Sequence, residues 1–176
     1  SYVSSSAWYY DAAKYVTDKQ LMSGEKPYVF GADEALTRAE VASALYNLAG
    51  QPKVELASFT DVPVTHQART AIAWAAKTGI MKGVGDNKFE PDRSVSREEI
   101  ATLLTRQRKL SGVDVTADKN EVSAFVDSAK ISSWAVDGVA YCTKSGLVKG
   151  NPGKVFAPAG KTTRAELATI IQRIAA

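Results

Sequence analysis

Three arginines, Arg38, Arg97 and Arg164, each stand second in a short recurring sequence: Thr37-Arg38-Ala39-Glu40, Ser96-Arg97-Glu98-Glu99 and Thr163-Arg164-Ala165-Glu166. A guanidinium offers its donors in a rigid fork and grips a carboxylate through two parallel charge-assisted hydrogen bonds. The chemistry on offer is therefore the holding of an anion rather than the breaking of a bond. The Ser or Thr, with Glu three residues later, is the capping box that starts a helix. That box does not explain a cation at the first helical position, where the positive end of the helix dipole disfavours it by about 0.3–1 kcal/mol. Three such placements argue for a shared anion. The plainer alternative is an ion pair with a neighbouring Glu, which stabilises by about 0–1 kcal/mol when exposed.

The elements that must position these side chains follow from an alignment on Gly24, Gly83 and Gly150. A Phe follows six residues later in every copy (Phe30, Phe89, Phe156), and the Arg fourteen residues later. Upstream, an aromatic sits nine residues back (Tyr15, Trp74, Tyr141), and sixteen residues back come Trp8, Gln67 and Trp134. Apolar residues at spacings of three and four predict a first helix over 8–21, 67–80 and 134–147. Gly79 and Gly146 fit its C-terminal cap, with Gln20 in that place in the first copy. After each capping box, Val41, Ala44, Leu45 and Leu48 align with Ile100, Leu103, Leu104 and Gln107, and with Leu167, Ile170, Ile171 and Ile174. These predict a second amphipathic helix. Each repeat is helix, loop, helix, and the expected boundaries are 1–52, 53–112 and 113–176. A polar stretch, 111–123, reads as an exposed linker. One helix pair cannot bury both apolar faces, so the repeats must pack on one another.

Phe59-Thr60-Asp61-Val62 and Phe125-Val126-Asp127 precede the first helix of the second and third repeats. Their counterpart in the first repeat falls at or before Ser1. A chain opening on Ser1 without Met is expected to be a processed protein or a cut piece.

The bulk composition narrows the class further. The chain has 176 residues, 45% of them hydrophobic, with a mean hydropathy of −0.17. No run is apolar and long enough for a membrane-spanning helix. Net charge is only +3, with acidic and basic residues interspersed, which argues against nucleic acid as partner. The single cysteine, Cys142, aligns with Val16 and Ala75 and is expected in the core rather than as a nucleophile. His66 is the only histidine, and with no recurring partner for either residue a Cys-His dyad is not expected. Glu40, Glu99 and Glu166 are accounted for as caps, and Asp61 and Asp127 as turn or cap residues. Neither a metal-ligand cluster nor a phosphate loop is legible, so no enzyme activity and no cofactor are expected.

The combination of Phe-x-Asp-Val, a helix ending Gly-(Leu/Ile)-x-x-Gly, a loop with Phe and Pro, and Thr-Arg-Ala-Glu resembles the S-layer homology domain, three times over nearly the whole chain. That resemblance implies an all-α, pseudo-threefold domain with a central three-helix bundle and three prongs separated by grooves. It also implies non-covalent binding to a secondary cell wall polysaccharide, often one carrying a pyruvate ketal, outside the cell at the envelope of a bacterium, expected to be Gram-positive. By motif match the ligand arginines are Arg38, Arg97 and Arg164, with helix-start N–H groups as further donors. Trp8 and Trp134 are the candidates for stacking on sugar rings, core packing being their alternative. Tyr15, Trp74 and Tyr141 are expected in the core. Gly24, Gly83 and Gly150 serve a turn with positive φ or let a ligand approach the backbone. Lys82 and Lys149, in one register, add positive charge to the grooves. Glu98 in place of Ala, Gln67 in place of Trp, and Glu25-Lys26-Pro27 in the first loop predict unequal grooves. The rival function is a protein–protein assembly module that contacts other surface-layer subunits.

Overall fold

A computed structural model describes residues 3–24 and 29–175. The Glu25-Lys26-Pro27 departure and the first residue of the chain lie outside that range. The described residues form six α-helices: α1 (Tyr10–Asp18), α2 (Arg38–Leu48), α3 (Arg69–Lys77), α4 (Arg97–Leu110), α5 (Val136–Lys144) and α6 (Arg164–Ala175). Two 3-10 turns, Lys119–Ala124 and Ser128–Lys130, lie between α4 and α5. Among the described residues the extended pairings are isolated bridges, so the class is all-α.

The chain divides into two compact units, a larger one made of Ser1–Ser94 with Thr163–Ala176 and a smaller one made of Val95–Thr162. In the larger unit α1 packs on α6 and α2 on α3. Ala12, Ala13 and Val16 of α1 and Leu167, Ala168, Ile170 and Ile171 of α6 are buried. In the smaller unit α5 packs on α4 and on the 3-10 turn Lys119–Ala124. Each fully buried Val, Leu or Ile stabilises by about 1.5–3 kcal/mol, so these apolar stripes, rather than the caps, hold the helices in place.

The first helices are nine residues long, shorter than the 8–21, 67–80 and 134–147 predicted. The reason lies at both ends. Turns precede each helix, so Trp8 and Trp134 stand two residues before the first helical turn rather than on it. The C-termini close through a left-handed residue: Gly79 at φ 74°, Gly146 at φ 69°, and in the first repeat Gln20 at φ 56°. A non-glycine residue there costs roughly 1 kcal/mol or more, a strain the first repeat carries. The stretch 111–123 is mostly exposed but is not a free linker. Lys144 Nζ donates to the Thr116 carbonyl oxygen at 3.1 Å, and Lys119 pairs with Asp137 at 3.3 Å.

Candidate functional site

The second helices all start as the sequence requires. Thr37 and Ser96 accept from the N–H of Glu40 and Glu99 while those carboxylates accept from the Thr37 and Ser96 N–H. Thr163 and Glu166 make the same reciprocal pair, at 2.8 Å and 3.3 Å. The next N–H groups are also engaged. Arg38 and Ala39 donate to the carbonyls of Arg93 and Pro91, Arg97 and Glu98 to those of Gly160 and Pro158, and Arg164 and Ala165 to those of Glu34 and Ala32. Contrary to the expectation from sequence, the helix starts have spent these N–H groups on the chain's own loops.

The three arginines are buried, with 7%, 7% and 4% of their surface exposed for Arg38, Arg97 and Arg164. Each Nε donates to a Phe carbonyl at 2.8 Å: Arg38 to Phe89, Arg97 to Phe156, Arg164 to Phe30. Each Nη2 donates to the carbonyl just before the aligned glycine, namely that of Lys82 for Arg38, Lys149 for Arg97 and Ser23 for Arg164. The guanidinium carbon also lies over the ring of the same Phe, at 4.5 Å, 5.5 Å and 5.4 Å from its centre. Here is the answer to the adverse dipole. Loop carbonyls and a π-face surround each cation, and such charge-assisted bonds stabilise by about 1.5–3 kcal/mol, more than the dipole term removes.

Arg164 has a further partner. Its Nη1 lies 2.6 Å from Glu40 Oε1, while Oε2 of the same carboxylate takes the Thr37 N–H at 2.8 Å. Glu40 is thus both cap and counter-ion, with its side chain 38% exposed. The residue was legible as a cap. Its second role depends on a chain separation of 124 residues, which no local pattern carries.

Gly83 and Gly150 are not in the left-handed region, which corrects the positive-φ expectation for these two. They are glycines because of close approach. A Cβ at Gly83 would meet the Lys88 carbonyl oxygen at 2.8 Å, and one at Gly150 the Phe125 ring at 2.7 Å. Lys82 and Lys149 are exposed, and it is their backbone carbonyls that the arginines hold. Trp8 is 70% exposed and Trp134 56%, so neither packs in the core. Trp74 and Tyr141 are buried as expected, and Tyr15 is half-buried.

Two acids have a larger part than their sequence reading gave them. Asp61 accepts from the N–H groups of Phe89 and Glu90 at 2.9 Å and 2.7 Å. Asp127 accepts from those of Phe156 and Ala157, both at 2.8 Å. Burial pushes both carboxyls up, but these backbone N–H groups, each residue's own N–H, and Lys88 or Lys130 outweigh it and hold both below the ordinary carboxylate range. The Phe-x-Asp signal was visible, but its target lies 28 or 29 residues away.

In the larger unit these parts surround a cavity of about 610 Å³. Ser23 and Gly24 line one side with Arg164 and Glu40. Ala39, Ser43 and Asn47 of α2 line the second, and His66, Gln67 and Ala68 the third. His66 Nδ1 accepts from the Ala68 N–H at 3.1 Å, which fixes the hydrogen of a neutral ring on Nε2. The lining mixes an aliphatic floor with amide, hydroxyl and charged groups, as a site for a small polar ligand requires. Among the described residues there is no cluster of acids, histidines or cysteines fit to hold a metal. No described helix is long and apolar enough to cross a membrane.

Three stretches of the chain, 3–42, 58–101 and 124–168, match the S-layer homology domain. Similar proteins include an amylopullulanase of Thermoanaerobacterium thermosulfurigenes, 32% identical over 93% of this chain and 9% of its own length. The exoglucanase XynX of Acetivibrio thermocellus is 32% identical over 93% of this chain and 15% of its own length. The S-layer protein EA1 of Bacillus anthracis is 30% identical over 77% and 14% respectively. The chain therefore spans a small fraction of the length of these relatives.

Proposed function

The chain belongs to the S-layer homology domain family, and from that premise we propose that it is an anchoring module, fastening a surface protein to the cell envelope by holding an acidic glycan. The relatives include an S-layer protein, an amylopullulanase and an exoglucanase, proteins of different kinds, and this supports a shared role in attachment. The polymer we assign is a secondary cell wall polysaccharide bearing carboxylates, as pyruvate ketals, on a Gram-positive envelope. The observation that carries this reading is the cavity lined by Ser23, Gly24, Glu40 and Arg164. Arg38, Arg97 and Arg164 lend positive potential while fixing the loops that carry Gly24, Gly83 and Gly150. Lys82 and Lys149, exposed on two of those loops, add cations, and the exposed Trp8 and Trp134 offer faces for sugar rings.

No reaction is assigned to these residues. Cys142 is buried with its thiol pushed up to about 12 by burial, against a smaller opposing effect of the Thr105 hydroxyl, so a thiolate nucleophile is not supported there. The test is calorimetric titration with synthetic pyruvylated mannosamine and with the same sugar lacking the ketal. Binding of the first and not the second is expected. Binding of neither, together with failure to retain purified wall polymer in a pull-down, overturns the proposal.

The second reading, a protein assembly module, has one observation in its favour: Val126, inside one Phe-x-Asp segment, and Val64, just after the other, are exposed apolar side chains. Wall stripped of protein separates the two readings. An anchor still binds it, whereas an assembly module does not.

A further inference from the structure

The stretch between α2 and Phe59 differs from every other described stretch that carries a cation. Gly50, at φ 80°, ends α2, and residues 51–59 then run without helix, turn, bend or bridge. The Tyr46 hydroxyl donates to the Pro52 carbonyl oxygen at 3.2 Å. Beyond that bond, among the described residues, no backbone hydrogen bond reaches 53–58. Lys53, Glu55 and Leu56 are exposed, Leu56 with 52% of its surface in water. Every other described Lys or Arg sits in a helix or a 3-10 turn, or has its backbone engaged. Lys82 and Lys149 give their carbonyls to Arg38 and Arg97, Lys154 gives its own to the Val126 N–H, and Lys161 is bridged to Ser96. Lys26, outside the described residues, precedes Pro27 in the sequence, and proline, with its ring and no N–H, does not fit on the leaving side of a trypsin-like cleft.

We propose that the Lys53–Val54 bond is a proteolytic processing site, taken by a serine endopeptidase of trypsin-like specificity. Such an enzyme pairs with the backbone of an extended substrate and seats a cation, on the amino side of the bond, in an acidic pocket. Both needs are met at 53–58 with nothing to unfold first. Elsewhere a helix or a bonded loop must open before it can be cut, and cleavage then follows the small open population. The step is a hydrolysis. The serine oxygen attacks the Lys53 carbonyl carbon, the C–N bond breaks as the Val54 nitrogen leaves with a proton, and water releases the acyl group. A carboxylate remains on Lys53 and an ammonium on Val54. The two pieces, 1–53 and 54–176, stay joined within the larger unit, because α1 packs on α6 and α2 on α3. Arg38 of the first piece also holds Phe89 of the second, and Arg164 of the second holds Phe30 of the first. Cleavage thus replaces a covalent tie by a non-covalent one, and the first repeat leaves only when the unit unfolds. The site stands independently of the anchoring function.

The experiment is a time course of limited digestion of the full chain with trypsin, read by intact mass spectrometry. Fragments 1–53 and 54–176 are expected first, eluting together in native gel filtration and separately in denaturant. Lys53→Gln is expected to slow the first cut by roughly tenfold or more, since the remaining bonds need an opening of the chain. Lys53→Arg, which keeps the cation, is expected to be cut as the wild type is. The rate at Lys53 is also expected to stay flat in urea below the unfolding transition, after correction for the activity of trypsin on a small substrate. Circular dichroism checks that both variants, altered at an exposed side chain, fold. A first cut elsewhere, or equal digestion of Lys53→Gln and the wild type, overturns the site. A rate that climbs with urea overturns the claim that the segment is open in the folded protein. Fragments that part in native buffer overturn the retained joint.

Discussion

The loop of the first repeat and the loops of the second and third reach the same end by different means. In all three the Phe carbonyl is presented to an arginine Nε at 2.8 Å. The residue after the Phe takes a left-handed backbone each time: Gly31 at φ 68°, Glu90 at φ 56° and Ala157 at φ 56°. Glycine adopts that conformation freely, whereas Glu and Ala are strained by roughly 1 kcal/mol or more. Each of the two strained loops is clamped by a carboxylate, Asp61 across Phe89 and Glu90, Asp127 across Phe156 and Ala157. Gly31 takes this conformation without strain, and in the other two loops a distant carboxylate holds it.

The largest expected effect tests what the loops have in common. Arg38→Ala and Arg164→Ala each leave two loop carbonyls without their donor, and each is expected to destabilise by about 3–5 kcal/mol. In thermal unfolding that is a fall of roughly 6–20 °C for a chain of this size. A much smaller loss for one of them would show that the loops do not depend on their arginines alike.

Next comes the clamp. Asp127→Ala strands two N–H groups and exposes the strain at Ala157, with an expected cost of about 2 kcal/mol in denaturant unfolding. Adding Ala157→Gly should return part of it, and the coupling in a double-mutant cycle is the sharpest statement of the comparison. Because both aspartates titrate lower in the folded protein than in the unfolded chain, their contribution is complete above the unfolded value of about 4 and fades as pH falls through the lower folded value. Unfolding followed from pH 5 to pH 2 should therefore lose stability steadily, and Asp61→Asn with Asp127→Asn should flatten that slope.

Smaller effects separate the loops directly. Gly31→Ala forces a side chain onto a left-handed backbone and is expected to cost about 1 kcal/mol. Ala157→Gly alone, with Asp127 in place, is expected to be neutral or to stabilise by about 0.5 kcal/mol, since relief of strain is set against the added freedom of the unfolded chain. Equal responses at 31 and 157 would erase the distinction.

Much of this was legible locally. The capping boxes, the glycine C-caps at Gly79 and Gly146, and the buried stripes of α2, α4 and α6 depend on neighbours within four residues, and the sequence displays such neighbours. The arginines were legible as a repeated oddity, but their partners are carbonyls. Every residue has a carbonyl, so no spacing marks those that accept. The same limit hid the double role of Glu40, which needs Arg164 124 residues away. Trp8 and Trp134 could not be placed from periodicity because they precede their helices, where the helical pattern has not begun. Gly83 and Gly150 recur for a steric reason, and that reason appears only once Lys88 and Phe125 have folded against them.

The bond from Arg164 to the Phe30 carbonyl spans 134 residues, and α6 packs on α1 in the same unit. Val95–Thr162 is one continuous segment, able to close once it leaves the ribosome, whereas the other unit draws on two separate stretches and waits for α6. A contact this distant in sequence favours slow folding, and the α1–α6 contact cannot form until α6 has been made. Until then α1 has its apolar face in water, and a nascent chain stalled at that stage is the form most exposed to proteases and to association with its own copies.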